Sequence, residues 1–181
     1  MKKLGWFGTL WLTRLSKPAG ERAIHRLVLQ ARPKRILELG LGMLRRTERM
    51  LSLAGAAGGE PVHYVGLDRF EGRLPGDPPG VTLKQAHQRL HALARVQLVP
   101  GNVDTSLGRL CNHLGVFDMV LVAADNDPRH LDRSWFFIQR VVNDRTTVFA
   151  ESLDGGKSVW RPVDKRRIDE LAARTIQRRA A

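Results

Sequence analysis

The chain has 181 residues, enough to bury a sizeable core in one domain and fewer than two ordinary domains need. Its single cysteine, Cys111, excludes an intrachain disulfide and predicts a reducing, cytoplasmic location. The net charge of +12 belongs to the two ends of the chain. Residues 1–35 carry nine Lys and Arg against one acid, and residues 157–181 carry eight against three. Such basic ends bind nucleic acid or an anionic membrane surface, or are merely solvated.

The first fifteen residues begin as a signal peptide does, with Lys2 and Lys3 ahead of a short apolar run. No small-residue cleavage site follows, and the run is too short to cross a bilayer, so neither export nor a transmembrane segment is predicted. We expect a short helix whose apolar stripe docks over the sheet or over a ligand cleft, or else lies in a membrane interface. The stripe consists of Trp6, Phe7, Leu10, Trp11 and Leu15. A second helix is predicted to end before Pro33.

A buried strand, a tight turn and the start of a helix are predicted over residues 35–44, RILELGLGML. The strand carries one acid, Glu38. Gly40 and Gly42 follow it, and without a Cβ they let the chain turn sharply and let a ligand approach the backbone. A dinucleotide-binding fingerprint needs a third glycine where Arg45 stands, so NAD is disfavoured.

Later segments continue the alternation of strand and helix. HYVGLD ends in Asp68, whose carboxylate can accept both ribose hydroxyls of an adenosyl group. Asn102 follows the third strand, and Gly155 and Gly156 predict a hairpin that adds an antiparallel edge strand beside the fifth. The third, fourth and fifth strands are predicted within residues 95–103, 117–125 and 146–152.

The order and spacing of these segments resemble the class I S-adenosylmethionine (SAM) dependent methyltransferases. Motif I of that family, E/D-x-G-x-G-x-G, is matched at Glu38, Gly40 and Gly42 and is broken at Leu44. The resemblance covers residues 35–152. It implies that SAM or S-adenosylhomocysteine (SAH) is the cofactor, with cofactor-binding residues Glu38, Gly40, Gly42, Asp68 and Asn102.

The alternation also predicts the architecture. We expect an α/β three-layer sandwich with helices on both faces of a mainly parallel sheet of order 3-2-1-4-5, plus the antiparallel edge strand. Within one compact domain, residues 1–33 form an N-terminal helical extension, residues 34–163 a methyltransferase-like Rossmann domain, and residues 164–181 a basic C-terminal helix.

The segment FDMVLVAAD resembles a second motif, F-D-x-V-F-I-D-A-D of the small metal-dependent catechol-type O-methyltransferases. The first metal-binding aspartate of that family falls on Ala123, and its later D-N pair falls on Glu151 and Ser152. Mg²⁺ needs hard oxygen ligands in octahedral positions, so these changes predict no metal site. Asp125 remains a candidate catalytic base. A different metal site made of Asp125, Asp127 and His130 is the alternative to an ordinary turn at this position.

Two functions are therefore predicted. The first is metal-independent, SAM-dependent methyl transfer to a small-molecule acceptor that the sequence does not identify. Since the methyl group of SAM sits on an activated sulfonium, the lack of an obvious base is no objection. The second is a non-catalytic, methyltransferase-like module that binds nucleic acid or a protein partner through its basic termini.

Overall fold

A computed structural model describes residues 6–57 and 60–180. Lys2 and Lys3, which begin the segment that resembles a signal peptide, lie outside the described residues. Within these ranges the chain forms seven α-helices: α1 (Trp6–Arg14), α2 (Arg22–Ala31), α3 (Arg45–Ala57), α4 (Leu83–Leu90), α5 (Val103–Leu114), α6 (Pro128–Ile138) and α7 (Lys165–Ala180). The strands are β1 (Arg35–Leu39), β2 (His63–Asp68), β3 (Arg95–Pro100), β4 (Met119–Val122), β5 (Thr147–Asp154) and β6 (Lys157–Val163).

The strands form one sheet of order β3-β2-β1-β4-β5-β6. All neighbours pair in parallel except β5 and β6, which are antiparallel. Gly155 and Gly156, with φ of 54° and 76°, turn the chain between β5 and β6, a backbone conformation that glycine adopts without strain. The predicted strand order and antiparallel edge strand are confirmed.

Side chains of each central strand point alternately into two cores. Ile36 and Leu37 are neighbours in β1 and both are wholly buried, but they belong to different cores on opposite faces of the sheet. The first core includes Ile24 of α2, Met50 of α3 and Leu90 of α4. The second includes Leu107 and Cys111 of α5, Trp135 of α6 and Ile168 of α7. The predicted three-layer sandwich is confirmed, and Cys111 lies on a buried face of α5.

Helix α1 is oriented differently from the prediction. The expected docking of its aromatic stripe is wrong, because Trp6, Phe7 and Leu15 are 70%, 79% and 63% exposed. The residue that packs into the first core is Leu12, on the opposite face. Its carbonyl lies 3.0 Å from Nδ1 of the buried His25 on α2. Because a carbonyl only accepts, Nδ1 of His25 carries the proton. This hydrogen bond holds the Leu12 face of α1 against α2.

The last helix joins the second layer of helices. Thr175 Oγ1 donates a hydrogen bond to the Asp132 carbonyl of α6 at 2.7 Å, and Ile168 lies in the second core. The predicted divisions after residues 33 and 163 fall between elements, and the division itself stays a prediction. Within residues 6–57 and 60–180, no helix is long and apolar enough to cross a membrane.

Candidate functional site

A crevice opens beyond the carboxyl ends of the parallel strands, where the strand order reverses between β1 and β4. Open α/β sheets bind their ligands at this position. The room inside the crevice for water-sized molecules is only about 20 Å³, far less than a small-molecule pocket needs, so its side chains nearly close it in this structure. Its walls include Gly40, Asp68, Arg73, Asn102, Asp125 and His130. Four of the six predicted site residues are thus brought together here, whereas Glu38 and Gly42 do not line the crevice.

The turn after β1 depends on glycine. Gly40 has φ of 85°, and a Cβ there would lie 2.3 Å from Asp125 Oδ1, so only glycine lets the tip of β4 come this close. Gly42 has φ of 54°. Leu44 stands where motif I has its third glycine, and it keeps a left-handed φ of 68°. That conformation costs roughly 1–2 kcal/mol for a non-glycine residue, and the complete burial of the Leu44 side chain offsets the cost.

Glu38 lies beneath this turn, completely buried. Its Oε1 accepts a hydrogen bond from Arg46 Nε at 2.8 Å, and its Oε2 accepts from Thr47 Oγ1 at 2.9 Å and Tyr64 Oη at 2.7 Å. Burial and the adjacent Glu38 carboxylate raise the pKa of Tyr64 well above its usual value, so the phenol remains a donor. Both oxygens of Glu38 are therefore engaged inside the protein. Its predicted contact with the cofactor stays a prediction, and the geometry gives it the role of fixing the turn.

Arg46 connects the acid to the turn. Its Nη2 donates to the Gly40 carbonyl at 2.8 Å, and its guanidinium lies 4.6 Å from the centre of the Trp160 ring. Burial lowers the pKa of Arg46 and the Glu38 carboxylate raises it, with a net rise, so the side chain stays charged. The sequence did not indicate that Arg46, in the first turn of α3, pairs with Glu38. The spacing of eight residues across a glycine turn gives no periodic pattern that would have shown it.

Asp68 ends β2 and is 5% exposed. Its Oδ2 accepts from the Leu41 and Gly42 amides at 2.7 and 3.3 Å, and its Oδ1 accepts from the Phe70 amide at 2.8 Å. Nη2 of Arg73 bridges the two oxygens at 2.8 and 2.7 Å. The three amides are fixed by the fold. A ribose diol can therefore reach this carboxylate most directly by replacing Arg73.

Arg73 belongs to the loop that follows β2, residues 69–80. Its Nη1 donates to the Pro78 carbonyl at 2.9 Å, and a Cβ on Gly80 would lie 2.2 Å from its Nε. Glycine at position 80 thus makes room for the guanidinium. Its Nη2 is also 3.7 Å from Asp125 Oδ2, so one cation lies between the two acids of the crevice. The loop is dense in Pro and Gly, and nothing in its sequence singles out Arg73.

Asp125 lies opposite, at the tip of β4. Burial and the nearby Asp68 carboxylate raise its pKa, and the positive charges of Arg46 and Arg73 oppose the rise. Its Oδ1 is buried and has no hydrogen-bond donor among the residues that the structure describes. The side chain can therefore accept a proton or a hydrogen bond from a molecule in the crevice.

Two ring side chains, His130 and Phe70, also lie in the segments that form the crevice. His130 lines the crevice, and its Nδ1 lies 2.9 Å from Asp104 Oδ1 at the start of α5. The pairing was not predicted. Phe70, in the loop after β2, is 3% exposed and packs in the first core, with a strained φ of 47°.

The residues at the position of the family metal site are engaged elsewhere. Glu151 Oε2 accepts from the Ala124 amide at 3.0 Å, and its Oε1 accepts from the Ser158 hydroxyl. Asp127 is the N-cap of α6 and accepts from the Arg129 amide at 2.8 Å, as an ordinary turn former does. No three His, Cys, Asp or Glu side chains of the described ranges are grouped as metal ligands would be. Independence of metal stays a prediction.

Known proteins resemble this chain in structure. No protein-family model and no curated protein matches it. The O-methyltransferase TomG from Streptomyces achromogenes, involved in tomaymycin synthesis and solved with SAM, aligns over 98% of this chain and 78% of its own at a TM-score of 0.58 and 15% identity. An O-methyltransferase from Bacillus cereus with SAH aligns over 90% and 69% at 0.57 and 17%. The calicheamicin methyltransferase CalS11 aligns over 97% and 72% at 0.58 and 18%. The chain therefore has the fold of the class I SAM-dependent methyltransferases.

Proposed function

We propose that this protein binds SAM in the crevice and transfers its methyl group to a small-molecule acceptor without a metal ion. The observation that carries the proposal is the convergence of the glycine turn, the ribose-type acid Asp68, Asn102 and Asp125 at the switch point of this fold. The solved relatives carry SAM or SAH.

The side chains of the crevice fit the polar groups of an adenosyl ligand. Asp68 is the acceptor for the ribose hydroxyls. Asn102 stands at the N-cap of α5 but makes no side-chain bond to that helix, so its amide can face an adenine edge. Gly40 lets a ligand lie against the backbone of the turn. When bound, SAM supplies a methyl group already activated by its sulfonium.

The residues of the chain then contribute position and proton handling. The crevice holds the acceptor in line and excludes water, which are the main demands of such a displacement. Asp125 is the candidate base, because its raised pKa brings it closer to neutral pH and its buried Oδ1 is free to hold the proton of an acceptor hydroxyl.

Calorimetric titration of the protein with SAM and SAH tests the cofactor. We expect Asp68→Ala to weaken binding by about 1.5–3 kcal/mol, the contribution of hydrogen bonds to a charged group. Asp77→Ala is the matched control, since Asp77 is an acid of the adjoining loop that pairs with Arg69 at 2.9 Å. Millimolar SAM that gives neither heat nor a thermal shift with the unaltered protein contradicts the proposal. Formation of SAH with candidate acceptors then tests catalysis.

Two observations favour the second function, a non-catalytic module. Arg73 already bridges both oxygens of Asp68, and Ala123 replaces an acid of the metal-dependent relatives. Such a module would use the basic ends. Removing α7 would open the second core at Ile168, so we prefer Arg166→Ser with Arg174→Ser, two exposed positions of α7. RNA and DNA retention at about 50 and 200 mM salt should fall steeply with salt and with these changes. Negligible retention at the lower salt excludes nucleic acid as the partner.

A further inference from the structure

Helix α1 and the residue that follows it expose four large apolar side chains, which we name the α1 ridge and define as Trp6, Phe7, Trp11 and Leu15. Their exposed fractions are 70%, 79%, 46% and 63%. Among the described residues nine large apolar side chains are exposed, and four of them belong to this ridge. Single exposed apolar residues are common on soluble proteins, but a concentrated patch marks an interaction surface.

The ridge is held outward by the packing of the opposite face. Leu12 is 4% exposed in the first core, and its carbonyl bonds to the buried His25. Rotating the helix to bury the ridge would withdraw Leu12 from that core. At nine residues α1 is about 14 Å long, far less than the thickness of a bilayer. The ridge is therefore suited to lie along a surface.

The surroundings of the ridge are basic. Arg14 is exposed on the same face of the helix, and Lys17 is exposed three residues further on. The sole acid of residues 1–35 is Glu21, which is 7% exposed and paired with Arg49 at 3.4 Å. No exposed carboxylate of this segment thus opposes an anionic surface. Exposed Trp and Phe side chains with nearby cations are the residue types that bind at a lipid interface.

We propose that the α1 ridge docks this protein onto the surface of an anionic lipid bilayer. Trp6, Phe7, Trp11 and Leu15 enter the boundary between headgroups and acyl chains, while Arg14 and Lys17 lie at the lipid phosphates. The positive charge of the segment favours lipid, because the negative surface of such a bilayer attracts each nearby Lys or Arg. This docking is independent of the methyltransferase crevice.

The distribution of tryptophan makes the test direct. Trp6 and Trp11 are exposed on the ridge, whereas Trp135 and Trp160 are 6% and 5% exposed in the cores. A blue shift of the tryptophan emission on adding vesicles therefore reports the ridge. We expect the shift with vesicles of phosphatidylcholine mixed with phosphatidylglycerol. We expect little shift with phosphatidylcholine alone, and reversal in high salt.

Matched variants identify the surface that binds. Phe7→Ser should lower the partition coefficient into the mixed vesicles about tenfold, the effect of losing one buried aromatic side chain. Arg14→Ser should lower it about fivefold. Leu153→Ser is the control, since Leu153 is 67% exposed on the β5–β6 hairpin, away from the ridge. These exposed positions leave the cores intact, and unchanged thermal midpoints verify this.

Four results would overturn the proposal. The first is the absence of any shift with the mixed vesicles. The second is equal binding to phosphatidylcholine alone, because the cations would then have no role. The third is self-association in sedimentation that Phe7→Ser abolishes, because the ridge would then be covered by a second copy of the chain. Equal losses for Leu153→Ser and Phe7→Ser would likewise show that the ridge is not the binding surface.

Discussion

Replacement of Arg73 distinguishes an open cofactor site from a closed one. In the structure Arg73 Nη2 bridges both oxygens of Asp68, and the two side chains are only 13% and 3% exposed. A ribose diol that binds Asp68 must take over these contacts. Arg73→Met removes the competitor and keeps an unbranched apolar stem, so we expect it to tighten the binding of SAH.

The magnitude follows from the contact that is lost. A hydrogen bond to a charged group contributes about 1.5–3 kcal/mol, which corresponds to a gain of roughly ten- to one-hundred-fold in Kd. Folding should survive the change, because Asp68 keeps the amides of Leu41, Gly42 and Phe70 as donors. Calorimetric titration with SAH measures the gain.

Arg89→Met provides the matched control for this experiment. Arg89 also binds a carboxylate through two contacts, at 2.7 and 2.8 Å to Glu48, but it does not line the crevice. The Arg89→Met variant should therefore have the same affinity for SAH as the unaltered protein. If Arg73→Met binds within about threefold of the unaltered protein, Arg73 does not compete with the ligand and the reasoning is refuted. If no variant binds SAH at all, the cofactor proposal fails with it.

Three further predictions concern stability and metal. Glu38→Ala should lower the free energy of unfolding in urea by about 3–5 kcal/mol, because it leaves Arg46 buried beside unsatisfied hydroxyls. Glu48→Ala is the control. It breaks the partly exposed pair with Arg89 and should cost less than about 1 kcal/mol. The pKa of Asp125 is raised in the folded state, so its negative charge opposes folding once the pH exceeds the ordinary pKa of an aspartate. Asp125→Asn should therefore raise the thermal midpoint at neutral pH. This gain should vanish in acid, where Asp125 is protonated in both the folded and the unfolded state. An equal gain at all pH values would contradict this. A chelator should change neither the thermal midpoint nor SAH binding, and restoration of lost binding by added Mg²⁺ would reveal a metal site rebuilt around the position of Ala123.

The sequence alone determined the architecture of this protein. Alternating apolar strands and amphipathic helices leave few ways to bury both faces of a parallel sheet with right-handed crossovers, so the order 3-2-1-4-5 and the edge hairpin were predictable. The positions of Gly40, Asp68, Asn102 and Asp125 followed from the same rule, because each lies at or within three residues of the end of a strand and the carboxyl ends of parallel strands share one edge.

Only the tertiary structure decided which partner each polar group finds. Glu38 and Arg46 meet beneath the glycine turn, and Arg73 reaches back to Asp68, because loop geometry brings these side chains together without any regular spacing. The orientation of α1 also did not follow from the sequence, since the pattern predicted burial of the aromatic stripe and the structure buries Leu12 instead. The packing of Leu12 and its bond to His25 chose it. Periodicity specifies which elements form, whereas contacts between residues far apart in the chain depend on how those elements pack.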